Sequence, residues 1–285
     1  MLYFSFQFNL LTIGILFGGN EMVWTSEVLL QATDEQFIQL FRQHEESFRE
    51  EIIKHLQIVQ AAERERLAVQ PFFRLLQLQV LSDEEKQQFY EVFVSNAGLF
   101  YEEGEHAVIT RATTAFIVSQ LIPQLASLDD FTAAVRYLRY EHDGRGQISE
   151  SIGWSDAIGS AVDLAIAAIV HPNFHASQYV ELLQAIRSSI WTVSSYSNNE
   201  EERYAKLIVM MLQKGLPEDA LIEWVEQLVD KLEYYAHDLG HDLKWFQART
   251  NTMALLRALY FACKFSGQNK KVEAIISFFI QKYML

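Results

Sequence analysis

The sequence predicts an all-α protein made of stacked helical hairpins, the architecture of HEAT-like α-α superhelices. Apolar residues recur at helical spacing along most of the chain, and no segment shows the alternation that is typical of a strand. Gly and Pro are scarce, with 12 and 4 residues in 285. This argues against a β-sandwich or β-barrel, because those folds need many tight turns. The helices must bury their apolar stripes against one another, and they are too numerous for one simple bundle. No repeat of fixed period is found, so any structural repeats are degenerate.

Two capping boxes mark the starts of early helices. Thr33 with Gln36, and Ser82 with Glu85, have the spacing at which two side chains and two backbone N–H groups exchange hydrogen bonds. Apolar stripes at helical spacing accompany these starts. Their members are Phe37, Leu40 and Phe41, then Phe48, Ile52, Ile53, Leu56 and Val59, and finally Phe89, Val92 and Phe93.

The central and C-terminal helices are separated by loops and breaks. Residues 107–121 are almost continuously apolar, which predicts a helix that is buried on most sides. A shorter helix is predicted from Asp129-Asp130, followed by a loop over residues 141–151. Later helices are predicted from Gly153 to a stop at His171-Pro172 and over 178–191, 221–235, 243–265 and 272–284. Core packing is expected for Trp154, Trp191, Trp224 and Trp245.

The N-terminal segment stands apart from this helical pattern. Residues 2–17 are apolar and uncharged, but they fall short of the roughly 20 residues of a spanning helix and lack the features of a signal peptide. Residues 18–22 can be encoded by a purine-rich ribosome-binding site followed by a start codon. We therefore interpret residues 1–21 as a doubtful leader, either translated sequence upstream of a true start at Met22 or an apolar anchor. One domain is predicted over residues 22–285.

The net charge and the cysteine content of the chain exclude several classes of function. The formal net charge is −14 and no basic stripe is present, so we expect no nucleic-acid partner. The single cysteine, Cys263, excludes an internal disulfide and a Cys-based zinc site, and it is expected to be a small buried apolar residue. The absence of a second cysteine, and therefore of an internal disulfide, fits a reducing cytoplasm. No phosphate loop, nucleophile elbow or HExxH motif appears, so no cofactor is predicted.

A polar face interrupts the apolar helix that begins near Gly153. Asp156, Ser160 and Asp163 are four and three residues apart, which places them on one side of a helix. In one interpretation they line a pocket for a small polar ligand or hard cation, with Trp154 and three residues of the preceding loop, namely Glu141, Asp143 and Arg145. In the other, Asp163 is a buried acid that needs an arginine partner. The candidate partners are Arg111, Arg203, Arg249 and Arg257.

Four blocks resemble a known family. They are VITRATTAFIVSQLI (108–122), YLRYEHDGRG-x6-GW-x8-D (137–163), EEERYAKLIV (200–209) and RTNTMALLRALYF (249–261). They are similar to blocks of a bacterial family catalogued only as domain of unknown function 2785. The resemblance implies an all-helical, superhelix-like protein without an assigned reaction.

The central block departs from the family pattern at two positions. That pattern resembles G-W-x-H-x-x-x-H-x-x-D, and this chain carries Asp156 and Ser160 in place of the two histidines. A transition-metal site would thereby lose its nitrogen ligands, and we predict no metal. Our first hypothesis is a non-enzymatic scaffold whose concave helical surface binds a protein or peptide. The alternative is an enzyme or ligand-binding protein that uses the acidic pocket around Asp156 and Asp163.

Overall fold

The computed structural model describes residues 29, 31–102, 104, 106–128, 131–141, 148–149, 153–191 and 194–284. The interpretations of residues 1–21 and of Met22 lie outside these residues, as do Asp143 and Arg145 of the predicted pocket. The regular secondary structure of the described residues is helical apart from one pair of two-residue strands, which confirms the all-α prediction. Its contacts define two compact units, one ending at Leu81 and one spanning Ser82–Leu285. The prediction of a single domain from residue 22 stays a prediction.

The first unit contains helices α1 (Asp34–Gln43), α2 (Glu45–Leu56), α3 (Ala61–Arg64) and α4 (Gln70–Gln77), with a π-helical turn over Glu65–Val69 joining the last two. Thr33 caps α1 in the predicted capping box with Gln36. The rings of Phe37 and Phe41 pack edge-to-face on Phe48 at 5.8 and 5.4 Å between centroids, which fixes α1 against α2. Val59, predicted to extend the stripe of α2, is exposed because that helix has already ended.

The second unit contains nine further described α-helices and two 3-10 helices, Ile122–Gln124 and Ala176–Gln178. The capping box of Ser82 and Glu85 opens the first of them, as predicted. Their bounds are α5 (Asp83–Phe93), α6 (Ala107–Leu121), α7 (Thr132–Tyr140), α8 (Ala157–Val170), α9 (Tyr179–Ile190), α10 (Glu200–Gln213), α11 (Glu218–Leu239), α12 (Leu243–Ser266) and α13 (Lys270–Met284).

Most helices of the second unit pack against the helix two places along the chain, although α12 and α13, which are neighbours in the chain, also pack closely against each other. Helix α6 contacts α8, α8 contacts α10, and α10 contacts α12. Helix α7 likewise contacts α9, and α11 contacts α13. The indole of Trp224 on α11 donates a hydrogen bond to the carbonyl of Leu183 on α9 at 2.8 Å, which links the second series. Alternate helices therefore form two series within this unit.

The helix predicted from Gly153 begins later than expected. Gly153 and Trp154 form strand β2, which pairs antiparallel with β1 (Ile148–Ser149). Asp156 is the N-cap of α8 with a φ of +49°, outside the helical range, so the helix starts at Ala157. Trp154 is 54% exposed, so the expectation that it packs in the core is wrong.

Cys263 is buried on α12, and burial raises the pKa of its thiol to about 11, as expected for a residue that acts as a small apolar side chain. Among the described helices, none combines the length and apolar character needed to cross a membrane.

Candidate functional site

The polar face of α8 meets an arginine from a neighbouring helix. Arg203 on α10 places its Nη1 atom 3.3 Å from a carboxylate oxygen of Asp156 and 3.6 Å from one of Asp163. Gly159 lies between the two acids, and a Cβ atom there would be 1.8 Å from Nη1 of Arg203. The absence of a side chain at Gly159 therefore lets the guanidinium lie directly on the helix backbone. We call Asp156, Asp163 and Arg203 the Arg203 cluster.

The Arg203 cluster lies at the edge of the core. The side chain of Asp163 is 42% exposed, and those of Asp156 and Arg203 are each 33% exposed. Asp163 thus has the guanidinium partner that one interpretation required, but it is half-exposed rather than buried. Ion pairs that remain accessible to water contribute little to stability, so the cluster cannot be a major source of folding energy.

Asp156 is the most unusual member of the cluster. Its φ of +49° lies in the left-handed region, which costs energy for residues other than Gly, although Asp and Asn tolerate it best. Burial raises the pKa of its carboxyl, and this effect outweighs the opposing charge of Arg203. The charges of Asp163 and Glu200 raise it further. A proton is therefore bound more readily at Asp156 than at an ordinary aspartate.

Two neighbouring residues hold the Arg203 cluster in place. Ser160 is buried one turn into α8, and its backbone N–H donates to the carbonyl of Asp156 at 2.9 Å as part of the helix. Glu200 at the start of α10 is also buried, and it accepts hydrogen bonds from the backbone N–H groups of Ser197 and Asn198 at 3.0 and 2.7 Å. Because these bonds fix the loop before α10, they also set the position of Arg203.

The chemistry of the cluster favours an architectural role over cation binding. One guanidinium already lies between the two carboxylates, so a metal ion would have to compete with it for the same oxygens. Across the described ranges, no three His, Cys, Asp or Glu side chains come together in a way that would hold a metal ion. Ser160 is buried without a histidine in the cluster to act as a base.

Arg111 and Glu141, which the sequence assigned to separate roles, form an ion pair with each other. Nε and Nη2 of Arg111 donate to the two carboxylate oxygens of Glu141 at 2.8 and 3.1 Å. Nη1 of Arg111 donates to the carbonyls of Tyr101 and Glu102. Both side chains are buried, with 0% and 1% exposure. Arg111 is therefore the partner of Glu141 rather than of Asp163. The proposed pocket role of Glu141 stays a prediction, because Asp143 and Arg145 lie outside the described residues.

The two remaining candidate arginines lie elsewhere. Arg249 on α12 donates to the carbonyl of Tyr283 at 3.4 Å and lies over the ring of Trp245. Arg257 is exposed on the same helix. Neither contacts the Arg203 cluster, so of the four arginines proposed as partners of Asp163 the structure selects Arg203.

Sequence reasoning overlooked Asn251, a fully buried residue of α12. Its Oδ1 accepts a hydrogen bond from the N–H of Tyr196 at 2.7 Å, and its Nδ2 donates to the carbonyls of Ile190 and Ser194, both at 3.1 Å. The side chain thus fastens the segment between α9 and α10. The available signal was an amide within the otherwise apolar block RTNTMALLRALYF, because a buried amide must find partners.

The comparisons with known proteins find a family but no characterised relative. Residues 97–261 match the sequence model of a family described as "Protein of unknown function (DUF2785)". This region contains α6 to α11 and most of α12, together with both ion-pair clusters. No curated protein matches the chain, and no solved structure matches it.

Proposed function

The chain belongs to the DUF2785 family, matched over 165 of its 285 residues, and from this premise we propose that it is a non-enzymatic scaffold for a protein or peptide partner. The observation that carries the proposal is a groove of about 480 Å³ between α10 and α12. Its lining consists of Ala205, Val209, Met210, Ala258, Phe261 and Ala262, with Glu202, Lys206 and Gln213 at the rim. We call it the α10–α12 groove.

The side chains of the α10–α12 groove suit a helical occupant. Alanines from both helices allow close approach, while Met210 offers a flexible apolar surface that adapts to different partners. Phe261 is 50% exposed, and its ring stacks on that of Phe265, 80% exposed, at 5.8 Å. An apolar strip between two helices is the surface on which an amphipathic helix binds through residues three and four apart.

The negative charge of the protein indicates that the polar face of the partner helix should carry basic residues. Glu202 is exposed at the rim of the groove and forms no ion pair with any residue that the structure describes. The whole chain has a net charge of −14. A partner helix with Lys or Arg beside its apolar face would therefore associate faster and more tightly at low salt. We propose a basic amphipathic helix as the occupant.

The two series of alternating helices support a stack of helical hairpins. A HEAT-like stack places the first helix of each hairpin against the first helix of the next, and the second against the second. The contacts of α6, α8, α10 and α12, and of α7 with α9, have this order. We extend the proposal to a HEAT-like arrangement of the second unit. The single cysteine and the family resemblance further support a bacterial, cytoplasmic protein.

Peptide selection tests the α10–α12 groove directly. A phage-displayed library of helical peptides is selected against the wild-type protein, and binding of the enriched peptides is measured by fluorescence polarisation. We expect the enriched peptides to be amphipathic with basic flanks. We expect Phe261→Asp to reduce their affinity by about tenfold or more, because it places a charge in the wall of the groove. Phe278→Asp, at an exposed aromatic of α13 outside the groove, is the matched control and should change affinity by less than about twofold.

Two results would overturn the groove proposal. One is the absence of any peptide enriched above the library background. The other is enriched peptides that bind wild type and Phe261→Asp equally, since their site would then lie elsewhere. Raising the salt concentration should lower the affinity of basic peptides for the groove, whereas the affinity of a purely apolar peptide should not fall.

The alternative function is a small-ligand, hard-cation or catalytic site around Asp156 and Asp163. The raised pKa of Asp156 and its left-handed backbone favour this alternative, because both features are frequent at functional sites. The guanidinium of Arg203 between the carboxylates opposes it. A thermal-shift screen with divalent cations and metabolites separates the two. Stabilisation of the wild type that disappears in an Asp156→Ala/Asp163→Ala variant would favour the alternative.

A further inference from the structure

A second cavity lies beside α7, apart from the α10–α12 groove. Its volume is about 680 Å³, within the range of pockets that hold small molecules. The described residues that line it come from the segment after α5 and from α7, and they are Asn96, Phe100, Glu102, Arg136, Arg139 and Tyr140. We call it the α7 cleft.

Two arginines bring positive charge to the α7 cleft. The guanidinium of Arg136 lies 4.5 Å from the ring centroid of Phe100, and Arg136 forms no ion pair with any residue in the described part of the chain. Nη2 of Arg139 donates to the carbonyl of Glu181 and the side-chain oxygen of Gln184 at 3.3 and 3.4 Å, which restrains its guanidinium. In a chain with a net charge of −14, such a pair forms a local site for an anion.

Aromatic rings form the other wall of the cleft. The rings of Phe100 and Tyr140 meet edge-to-face at 5.7 Å between centroids. A planar group entering the cleft can therefore stack on an aromatic face or on the guanidinium of Arg136, as arginine does with rings.

The buried pair of Arg111 and Glu141 fixes the walls of the α7 cleft. Arg111 donates hydrogen bonds to the backbone carbonyls of Tyr101 and Glu102, and its guanidinium lies 5.7 Å from the ring centroid of Tyr140. Glu141 directly follows Tyr140 in the chain. The lining residues are thereby attached to a buried, bidentate ion pair, which organises the cleft before any ligand arrives.

From this geometry we propose that the α7 cleft binds a small organic anion that carries a planar ring. Its carboxylate or phosphate contacts Arg136 and Arg139, and its ring packs against Phe100 and Tyr140. Glu102 also lines the cleft, so its carboxylate disfavours a second anionic group on the ligand and accepts hydrogen bonds from a ligand hydroxyl or amine. The site is independent of the α10–α12 groove, so failure of one proposal leaves the other intact.

Ligand-observed NMR titration with simple probes tests the charge and ring requirements. Benzoate and phenyl phosphate are the two anions, phenol is their neutral counterpart, and acetate and inorganic phosphate lack the ring. We expect at least one aromatic anion to bind saturably, about tenfold or more tighter than phenol and than the anion without a ring. The preferred aromatic anion then shows whether the natural ligand carries a carboxylate or a phosphate.

Matched arginine variants locate the binding. Arg136→Gln should reduce the affinity for the aromatic anion by about tenfold or more, because it removes the charge while keeping a polar side chain. Arg257→Gln, at an exposed arginine of α12, should change affinity by less than about twofold. Thermal melting should be unchanged in both variants, since both residues are exposed. The proposal is overturned if no anion binds below about 10 mM, if phenol binds equally well, or if Arg136→Gln binds like wild type.

Discussion

Two arginine–carboxylate clusters of the same unit differ in almost every physical respect. Arg111 and Glu141 are buried, with exposures of 0% and 1%, and they are joined by two hydrogen bonds of 2.8 and 3.1 Å. In the Arg203 cluster, one guanidinium nitrogen contacts Asp156 and Asp163 at 3.3 and 3.6 Å, and all three side chains are one-third exposed or more. The first pair is bidentate, buried and further bonded to the backbone. The second has longer contacts and partly exposed side chains, although the nitrogen that makes those contacts, Nη1 of Arg203, is itself buried.

This difference teaches that the position of a charge in the sequence does not reveal how deeply it is buried. Asp163 lies within the apolar run AVDLAIAAIV, yet it reaches solvent. Glu141 opens a polar loop, yet its carboxylate is in the core. A buried charge is tolerated only when its partners satisfy it, and Arg111 supplies that partner from α6. Removing one member of the buried pair should therefore cost much stability, while removing one member of the Arg203 cluster should cost little.

The largest expected effect comes from breaking the buried pair. Glu141→Ala leaves the charge of Arg111 buried without its bidentate partner, and we expect the free energy of unfolding to fall by about 3–5 kcal/mol. Urea denaturation followed by circular dichroism measures this loss. A loss below about 1 kcal/mol would show that water reaches the pair and would remove the contrast between the two clusters.

A double variant serves as the control for that experiment. Arg111→Met combined with Glu141→Leu removes both charges while keeping similar volumes. Apolar replacements of buried ion pairs are often neutral or better, so the double variant should recover most of the stability lost in Glu141→Ala. If it is as unstable as the single variant, then the bonds from Arg111 to the carbonyls of Tyr101 and Glu102 matter more than the pair itself.

The sequence predicted the helical elements well because they depend on local chemistry. Both capping boxes formed with the predicted partners, since four neighbouring residues suffice to define them. The start of α8 was missed by four residues, because the left-handed backbone at Asp156 gives no signal in apolar periodicity. The hairpin-stack arrangement stays a prediction, since packing between helices is a property of the whole unit.

The candidate site was less predictable because its contacts are long-range. Arg203 was one of four arginines proposed for Asp163, and nothing in the sequence ranks a partner 40 residues away above the others. Arg203 is distinguished from the other three arginines only in the folded structure, where the absence of a side chain at Gly159 leaves room for its guanidinium. Asn251 was overlooked for the same reason, since its three backbone partners lie between residues 190 and 196.

A smaller effect is expected from Asp163→Ala in the exposed cluster. Because Asp163 is 42% exposed and its contact with Arg203 measures 3.6 Å, we expect a loss of less than about 1 kcal/mol, decreasing as salt is added. Urea denaturation at low and high salt checks both statements, and Asp163→Asn serves as the isosteric control. A salt-independent loss as large as that of Glu141→Ala would mean that the two clusters are energetically alike.

The smallest effect concerns the pH dependence of Asp156. Burial raises the pKa of its carboxyl, with the nearby acids adding to that effect, so the folded protein binds this proton more readily than the unfolded chain does. The resulting stability is present at acidic pH and is lost as pH rises through the raised pKa. Asp156→Asn removes the titrating charge while keeping a side chain that tolerates the left-handed backbone.

We therefore expect Asp156→Asn to gain stability relative to wild type as pH rises from the acidic range to neutrality, by less than about 1 kcal/mol because the site is partly exposed. Urea denaturation across that range measures the difference. Asp238→Asn is the control of opposite sign, because His237 and then Tyr234 lower the pKa of Asp238, so its ionised form is the one that is favoured in the folded state. If Asp156→Asn instead loses stability relative to wild type as pH rises, as the control is expected to do, then the pKa of Asp156 is not raised, and the attraction of Arg203 dominates its environment.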